Sequence, residues 1–279
     1  MIRLLRRMLR TPALLIGAAI LLGIVVVALV SFAWTPYDPV QVDSTARLQR
    51  PGAEHWFGTD KFGRDVFSQI MVGARTTLYV GLVAVGIAAV IGVPYGILAA
   101  MLPRWAGRAL MRVNDLLLAF PALLLAIILA AVFGASTGSA MVAIGVATVP
   151  AFARVTRSAA LQVRASEFVL AARASGVRPL GIATRHVLPN VASLVIVQAS
   201  VAFAIAVLAE AALSFLGFGT PPPVPSWGRM LQESQELIWV APRLTVFPAV
   251  AIALAVLGFN LFGDGLRDVL DPRLVDHDD

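Results

Sequence analysis

The 279-residue sequence predicts an all-α integral membrane protein of six transmembrane helices with both termini on the same, cytoplasmic side. Three observations predict it. The composition is 59% hydrophobic and 14% charged, with a mean hydropathy of +0.85; soluble domains carry about a quarter charged residues. The charges are gathered into short clusters separated by long charge-free runs. Arginine and lysine are unequally divided between the clusters on alternate sides of those runs.

A helix needs roughly 20 apolar residues to cross a hydrocarbon core of about 30 Å. Residues 11–37 carry no charge and predict a first helix over 13–34. A second follows over 77–102, within the charge-free run 76–103. Residues 116–153 are uncharged but too long for one crossing, and the cluster Gly134-Ala135-Ser136-Thr137-Gly138-Ser139 reads as the turn that divides them. The third helix is then placed at 113–133 and the fourth at 140–158. A fifth is expected over 191–215 and a sixth over 244–262. The apolar core of the first segment is longer than the 7–15 residues of a signal-peptide core, so it is expected to be retained as a helix.

With the N-terminus inside, fifteen basic residues fall on inner segments and seven on outer ones. Arg3, Arg6, Arg7 and Arg10 precede the first helix, and Arg104, Arg108 and Arg112 follow the second. Six arginines from Arg154 to Arg185 follow the fourth, and Arg267 and Arg273 lie in the tail. An inner excess satisfies the positive-inside rule. It also accounts for the net charge of +6 as a topology signal and excludes a nucleic-acid partner.

Several chemistries are excluded. The chain has no cysteine, hence no disulfide framework or thiolate metal site. His55, His186 and His277 form no metal-ligand spacing. The sequence contains no G-x-x-x-x-G-K-[ST] phosphate loop and no nucleophile–base constellation. Glu210 is the one acid well inside an apolar run, which leaves little for proton or sodium coupling.

Four motifs carry a resemblance. Phe57-Gly58-Thr59-Asp60 with Gly63-Arg64-Asp65 and Gly73-Ala74-Arg75 precede the second helix. Asp115 to Pro121 reads DLLLAFP. Leu213-Ser214-Phe215-Leu216-Gly217 is followed by Pro222-Pro223 and Ser226-Trp227-Gly228. Between the fourth and fifth helices lies the polar stretch SEFVLAARASGVRPLGIATRHVLPN, Ser166 to Asn190. In this order, the chain resembles the C-type permease subunit of dipeptide, oligopeptide and nickel ABC importers over nearly its whole length.

The resemblance implies a type I ABC importer permease in a bacterial inner membrane, with no catalytic residue and no cofactor in this chain. ATP and Mg would be bound by two partner ATP-binding subunits. The other implied partners are a homologous B-type permease, an extracytoplasmic peptide-binding protein, membrane lipid and the peptide itself. Nickel is the alternative cargo. From the residues alone, an ion-coupled secondary transporter and a membrane scaffold are the rival classes. Three regions follow: 1–76, with the first helix and an outer loop; 77–266, the permease core, with its cytoplasmic coupling loop at 159–190; and 267–279, the tail.

The coupling loop is expected to carry the ATPase contact through Glu167, Leu170, Ala171, Ala172, Ala174, Gly176, Val177, His186 and Pro189. The alanines favour a short helix, which Gly176 and Pro179 end. Leu170, Ala174 and Val177 fall at i, i+4, i+7 and read as its contact stripe. An amphipathic loop lying on lipid headgroups is the other reading. The wider superfamily often places a Glu six residues before the Gly; Leu170 stands there, and Glu167 is the nearest acid.

Glu210, an intramembrane carboxylate, is read with Ser214 and Phe215 either as a path or gate site, or as a structural hydrogen bond. Asn114 and Asp115 read as capping a third helix, with Pro121 and Pro94 as candidate kinks. Gly58, Thr59, Asp60, Gly63, Arg64 and Asp65 form the outer motif. Gln69 stands where a basic residue is expected, and a short amphipathic helix is expected over 65–72. Trp227 and Trp239 suit the headgroup level. The outer loops either receive a solute-binding protein or plug and anchor the outer face.

Overall fold

A computed structural model describes residues 11–270. Arg3, Arg6, Arg7, Arg10 and Arg273 lie outside them, as does the tail from 271. The described chain is helical: α1 (Pro12–Ala33), α2 (Val66–Met101), α3 (Arg104–Ala119), α4 (Ala122–Phe133), α5 (Thr137–Arg164), α6 (Glu167–Ala174), α7 (Pro179–Phe215), α8 (Trp227–Ser234) and α9 (Arg243–Leu270). Helices α1, α2, α5, α7 and α9 are each long and apolar enough to cross a membrane. Helices α3 and α4 qualify only together, bent by 83°.

The spans lie where expected, but their ends do not. Helix α2 begins at Val66, so the short helix expected over 65–72 is its first turns, and the division at 76/77 falls inside one helix. The Asp65 carboxylate caps it, accepting from the Ser68 amide at 2.7 Å. Helix α5 runs past the expected end at 158 to Arg164, drawing that arginine into the helix. Its start is fixed by Ser136 and Ser139, which cap each other reciprocally. The expected third helix is broken at Pro121. A residue before proline is pushed out of the helical region, and Phe120 is extended at φ −82°, ψ 133°.

Because α3 starts at Arg104, Asn114 and Asp115 are not caps. Asn114 is buried and donates to the Pro150 carbonyl of α5 at 3.2 Å. Asp115 pairs with Arg154 at 2.8 Å on the surface. Helix α7 begins twelve residues before the expected 191, and Ala183–Val187 within it forms a π-helical turn. Pro189 explains the turn: it has no amide to donate and its ring crowds the carbonyl four residues back.

The most extensive crossing is that of α2 with α5. Lipid tails are as apolar as leucine, so helices in a bilayer associate through close packing of small residues. A Cβ on Gly92 would lie 2.6 Å from that of Phe152, and one on Gly96 2.5 Å from the Ala153 carbonyl oxygen. Val80, Ala84, Ala88, Ala143, Ile144 and Phe152 fill this crossing, and Ala202, Ala206 and Leu213 of α7 close it. A second core joins α1, α2, α7, α8 and α9 around Val66, Val207, Trp227 and Ala255. Trp227 is therefore core and not a headgroup anchor: its indole donates to the Ile70 carbonyl at 3.0 Å and lies against Gly73. Trp239 is 94% exposed.

Gly96→Ala should lower stability by about 1–3 kcal/mol, because the new methyl meets backbone that cannot yield. Gly86→Ala, where nothing stands within 4 Å, should be neutral or stabilising by up to about 1 kcal/mol. Thermal midpoints of the two variants in detergent test this; equal midpoints would refute the close crossing.

Candidate functional site

The polar segment after α5 is built as a small cap on one end of the long helices. Helix α6 spans eight residues, with Glu167 in its first turn and Arg173 in its last, each favourable to the helix dipole. It stops at Gly176 (φ +80°). The Gly176 amide donates to Arg173 at 3.0 Å and the Val177 amide to Ala172 at 3.1 Å, which is the Schellman arrangement. An L-residue at Gly176 would be strained, but a Cβ there meets no atom of this chain.

The two faces of this cap differ. Val169, Ile182, Val187 and Val191 are buried together with Ala100 of α2 and Ala160 of α5, and Val177 packs against them. Leu170 is half exposed at 50% and Leu180 is 75% exposed. Ala171, Ala174, Gly176 and Pro189 are also exposed, while Ala172 and His186 are half-buried. Within the expected stripe, Leu170 and Ala174 face outward and Val177 turns in. The buried set Val169, Ile182 and Val187 was not singled out from the sequence. Its signal is that β-branched residues recur in a loop otherwise rich in arginine and alanine.

At the opposite end, residues 37–69 fold over the start of α2 around buried polar groups. Gly58 (φ +74°) and Gly63 (φ +78°) supply the turns. The Thr59 hydroxyl donates to the Ala46 carbonyl, and its amide donates to Gln49 at 3.1 Å. Asp60 accepts from the Phe62 amide at 2.8 Å, the Arg64 amide at 3.0 Å and Arg64 Nε at 2.6 Å. Gln69 donates to the same carboxylate at 3.1 Å, so it serves as a neutral partner where a cation was expected. Arg64 also binds Glu233 of α8, which holds Arg229 at 3.0 Å. Burial works against the charge on Arg64, but Asp60 and Glu233 outweigh it and hold the guanidinium above its ordinary value. His55 lies 2.9 Å from Asp65.

Glu210 and Ser214 are each 1% exposed. The Ser214 hydroxyl donates to Glu210 Oε1 at 2.7 Å and accepts from the Thr220 amide at 3.1 Å. The loop after α7 thus turns back onto the helix end, where Gly219 and Gly228 lie too close for a side chain. Phe215 is 38% exposed. Further along the bundle, a groove of about 420 Å³ opens between α4, α5 and α7, lined by Leu123, Ala126, Ile144, Thr148, Leu208 and Ala212 among others. The motifs noted in sequence therefore meet in space: Gly73 against Trp227, and Arg64 against the helix that Ser226 caps.

Residues 92–276 match the family model described as "Binding-protein-dependent transport system inner membrane component". The chain is 43% identical over 260 residues to the dipeptide transport system permease protein DppC of Alkalihalophilus pseudofirmus, covering 93% of this chain and 86% of that one. It is 45% identical to a putative peptide transport system permease protein of Brucella suis, covering 96% and 90%. Identity to the glutathione transport system permease protein GsiD of Escherichia coli O6:K15:H31 is 40%, covering 96% and 89%. Among solved structures, an inward-facing form of the MetNI methionine ABC transporter superposes with a TM-score of 0.62 at 20% identity. It covers 73% of this chain and 97% of that chain, a likeness of fold alone.

This clasp joins Asp60 and Arg64, which precede the family match at residue 92, to Glu233, which lies within it. Arg64→Met strips the counter-charge from Asp60 and Glu233 and should cost about 3 kcal/mol. The double variant Arg64→Met/Glu233→Met should recover part of the loss. A single variant within 0.5 kcal/mol of wild type, by denaturant titration of the purified chain, would remove the clasp from the account (surface pairs are worth about that much).

Proposed function

The chain belongs to the family of binding-protein-dependent transport system inner membrane components, and from that premise we propose that it is one permease half of an ATP-driven importer of di- or oligopeptides. The observation that supports the substrate class is the similarity, at 40–45% identity over most of the chain, to permeases named for dipeptide, peptide and glutathione transport. These names favour peptides over nickel. The protein is a multi-pass component of the inner membrane. In our reading α3 and α4 together make a sixth crossing and both termini are cytoplasmic. The regions 1–76, 77–266 and 267–279 then serve as outer-face module with anchor, permease core and tail.

The proposed division of labour follows the chain's chemistry. With no phosphate loop of its own, it would rely on two ATP-binding subunits for ATP and Mg. A homologous permease would complete the path, facing the groove between α4, α5 and α7. An extracytoplasmic peptide-binding protein would deliver cargo to the outer face, on the module held by Gly58, Thr59, Asp60, Gly63, Arg64 and Asp65.

Coupling would run through α6. The outward face of Glu167, Leu170, Ala171, Ala174 and Gly176 seats in a groove of the ATPase, and the residues that follow, Val177, His186 and Pro189, carry the load into α7. The inward side chains Val169, Ile182 and Val187 are packed on α2 and α5. A displacement of α6 therefore cannot be absorbed locally, because a close-packed cluster transmits strain. Glu210 and Ser214 would hold the outer end of α7 shut against the loop that follows, with Phe215 beside them.

Gly176→Trp tests the coupling. The isolated chain has room for the ring, so the variant should fold with about 1 kcal/mol of backbone strain. It should nonetheless fail to assemble with the ATPase, or should hydrolyse ATP without uptake; normal uptake would sink the reading. Glu210→Gln keeps an acceptor for Ser214 and should leave uptake and peptide preference unchanged. Glu210→Leu should cost about 1–3 kcal/mol of stability, and a change of peptide preference in Glu210→Gln would instead place the carboxylate on the path. The overall reading is tested by ATP hydrolysis of the co-purified complex with binding protein. Peptides should stimulate it, whereas stimulation by Ni²⁺ alone, or the absence of any co-purifying ATPase, would overturn it.

A further inference from the structure

A crevice of about 640 Å³ lies where α2 passes into α3 and beside the last turns of α5. Four arginines line it: Arg104 and Arg108 from α3, and Arg157 and Arg164 from α5. No acidic side chain lines it. Among the described residues none of the four is in an ion pair. The Nε atoms of Arg157 and Arg164 are buried without a hydrogen-bond partner. Arg164 is held in place by its bond to the Ala100 carbonyl, and Arg108 Nε donates to the Arg104 carbonyl at 3.2 Å. The free amides of the first turn of α3 add to the same field.

Four gathered guanidiniums with no counter-charge repel one another, and a buried unpaired donor costs free energy. An anion in the crevice relieves both. The rim indicates which anion. Leu102 and Leu161 form apolar wall beside the arginines, and Leu161 is 41% exposed. Trp105, next to Arg104, is 72% exposed, as befits a ring at headgroup depth. A free phosphate has no use for an apolar rim; a lipid, with a phosphate joined to acyl chains, fits both parts.

We propose that this crevice is a binding site for the phosphate headgroup of an anionic phospholipid of the inner leaflet. The leaflet rests on the orientation proposed above. Bound there, the headgroup would neutralise the hinge between α2 and α3 and tie it to α5 one turn before the coupling helix. The nearby Asp115–Arg154 pair does not line the crevice, which makes Arg154 a control of equal charge on the same helix.

The test is native mass spectrometry of the whole assembly released from bilayers of phosphatidylglycerol mixed with phosphatidylcholine. Wild type and Arg154→Gln should retain phosphatidylglycerol in preference. Arg104→Gln/Arg108→Gln/Arg157→Gln should retain about a hundredfold less, since each arginine near an anionic surface is worth roughly fivefold. Equal retention of the two lipids, or an equal loss in Arg154→Gln, would overturn the proposal. So would saturation by inorganic phosphate with no lipid retained, or retention that vanishes whenever the ATP-binding subunits are present, which would mark the crevice as a protein contact. If the triple variant does not fold, Arg157→Gln alone should lower retention about fivefold. Peptide-stimulated ATP hydrolysis on the same preparation reports the transport reading separately.

Discussion

The close crossing of α2 with α5 is the constraint on which the remainder depends. Hydrocarbon offers no hydrophobic drive between helices, so backbones must come near enough for dispersion to replace it. Gly92 and Gly96 allow that, bringing α2 against Phe152 and the Ala153 carbonyl. Once the two axes are fixed, Asn114 ties α3 to Pro150, and α7 closes the same core through Ala202, Ala206 and Leu213. Where α2 and α5 end, Ala100 and Ala160 meet as small side chains and leave room for the valines and isoleucine of the segment after α5. A looser crossing would separate Ala100 from Ala160 and leave α6 with nothing to press against.

The two ends of the bundle are built from different interactions. One end is held by largely buried charge: Asp60, Arg64, Glu233 and Arg229 form one chain of ion pairs across two segments, the loop before α2 and helix α8. Breaking such a chain exposes uncompensated charge in a poorly solvated place, which favours one geometry strongly over others. The other end is held by apolar packing beneath an exposed face, with its described arginines largely outside ion pairs.

Much of this was legible in the sequence. The spans could be read because charge is excluded from hydrocarbon, and Gly176 with its alanines marked the short helix because only glycine ends a helix in the left-handed region cheaply. Helix ends were less legible. Arg164 looks like a loop residue in sequence, but α5 continues past the expected end at 158 and carries it. Asn114 and Asp115 resemble caps only if α3 begins at 113; their partners lie on α5, far along the chain. Trp227 was misplaced because tryptophan suits both a headgroup layer and a core, and only the vacancy above Gly73 decides between them. Gln69 seemed to lack a charge, yet the carboxylate it serves already has Arg64. In each case the missing information is the identity of a residue brought close by tertiary packing.

The π-helical turn at Ala183–Val187 connects these themes. Pro189 denies the helix one donor, and the chain responds by widening one turn instead of breaking. The widened turn keeps Ile182 and Val187 both buried, at 2% and 0% exposure, where each packs on the ends of α2 and α5. At Pro121 a proline gives the opposite result, an 83° break, because Phe120 and Ala122 are exposed and no core holds the two halves in line. The same residue type thus leaves a continuous rod at Pro189 and makes a corner at Pro121. Packing on either side of each proline, more than the proline itself, decides which outcome the chain adopts.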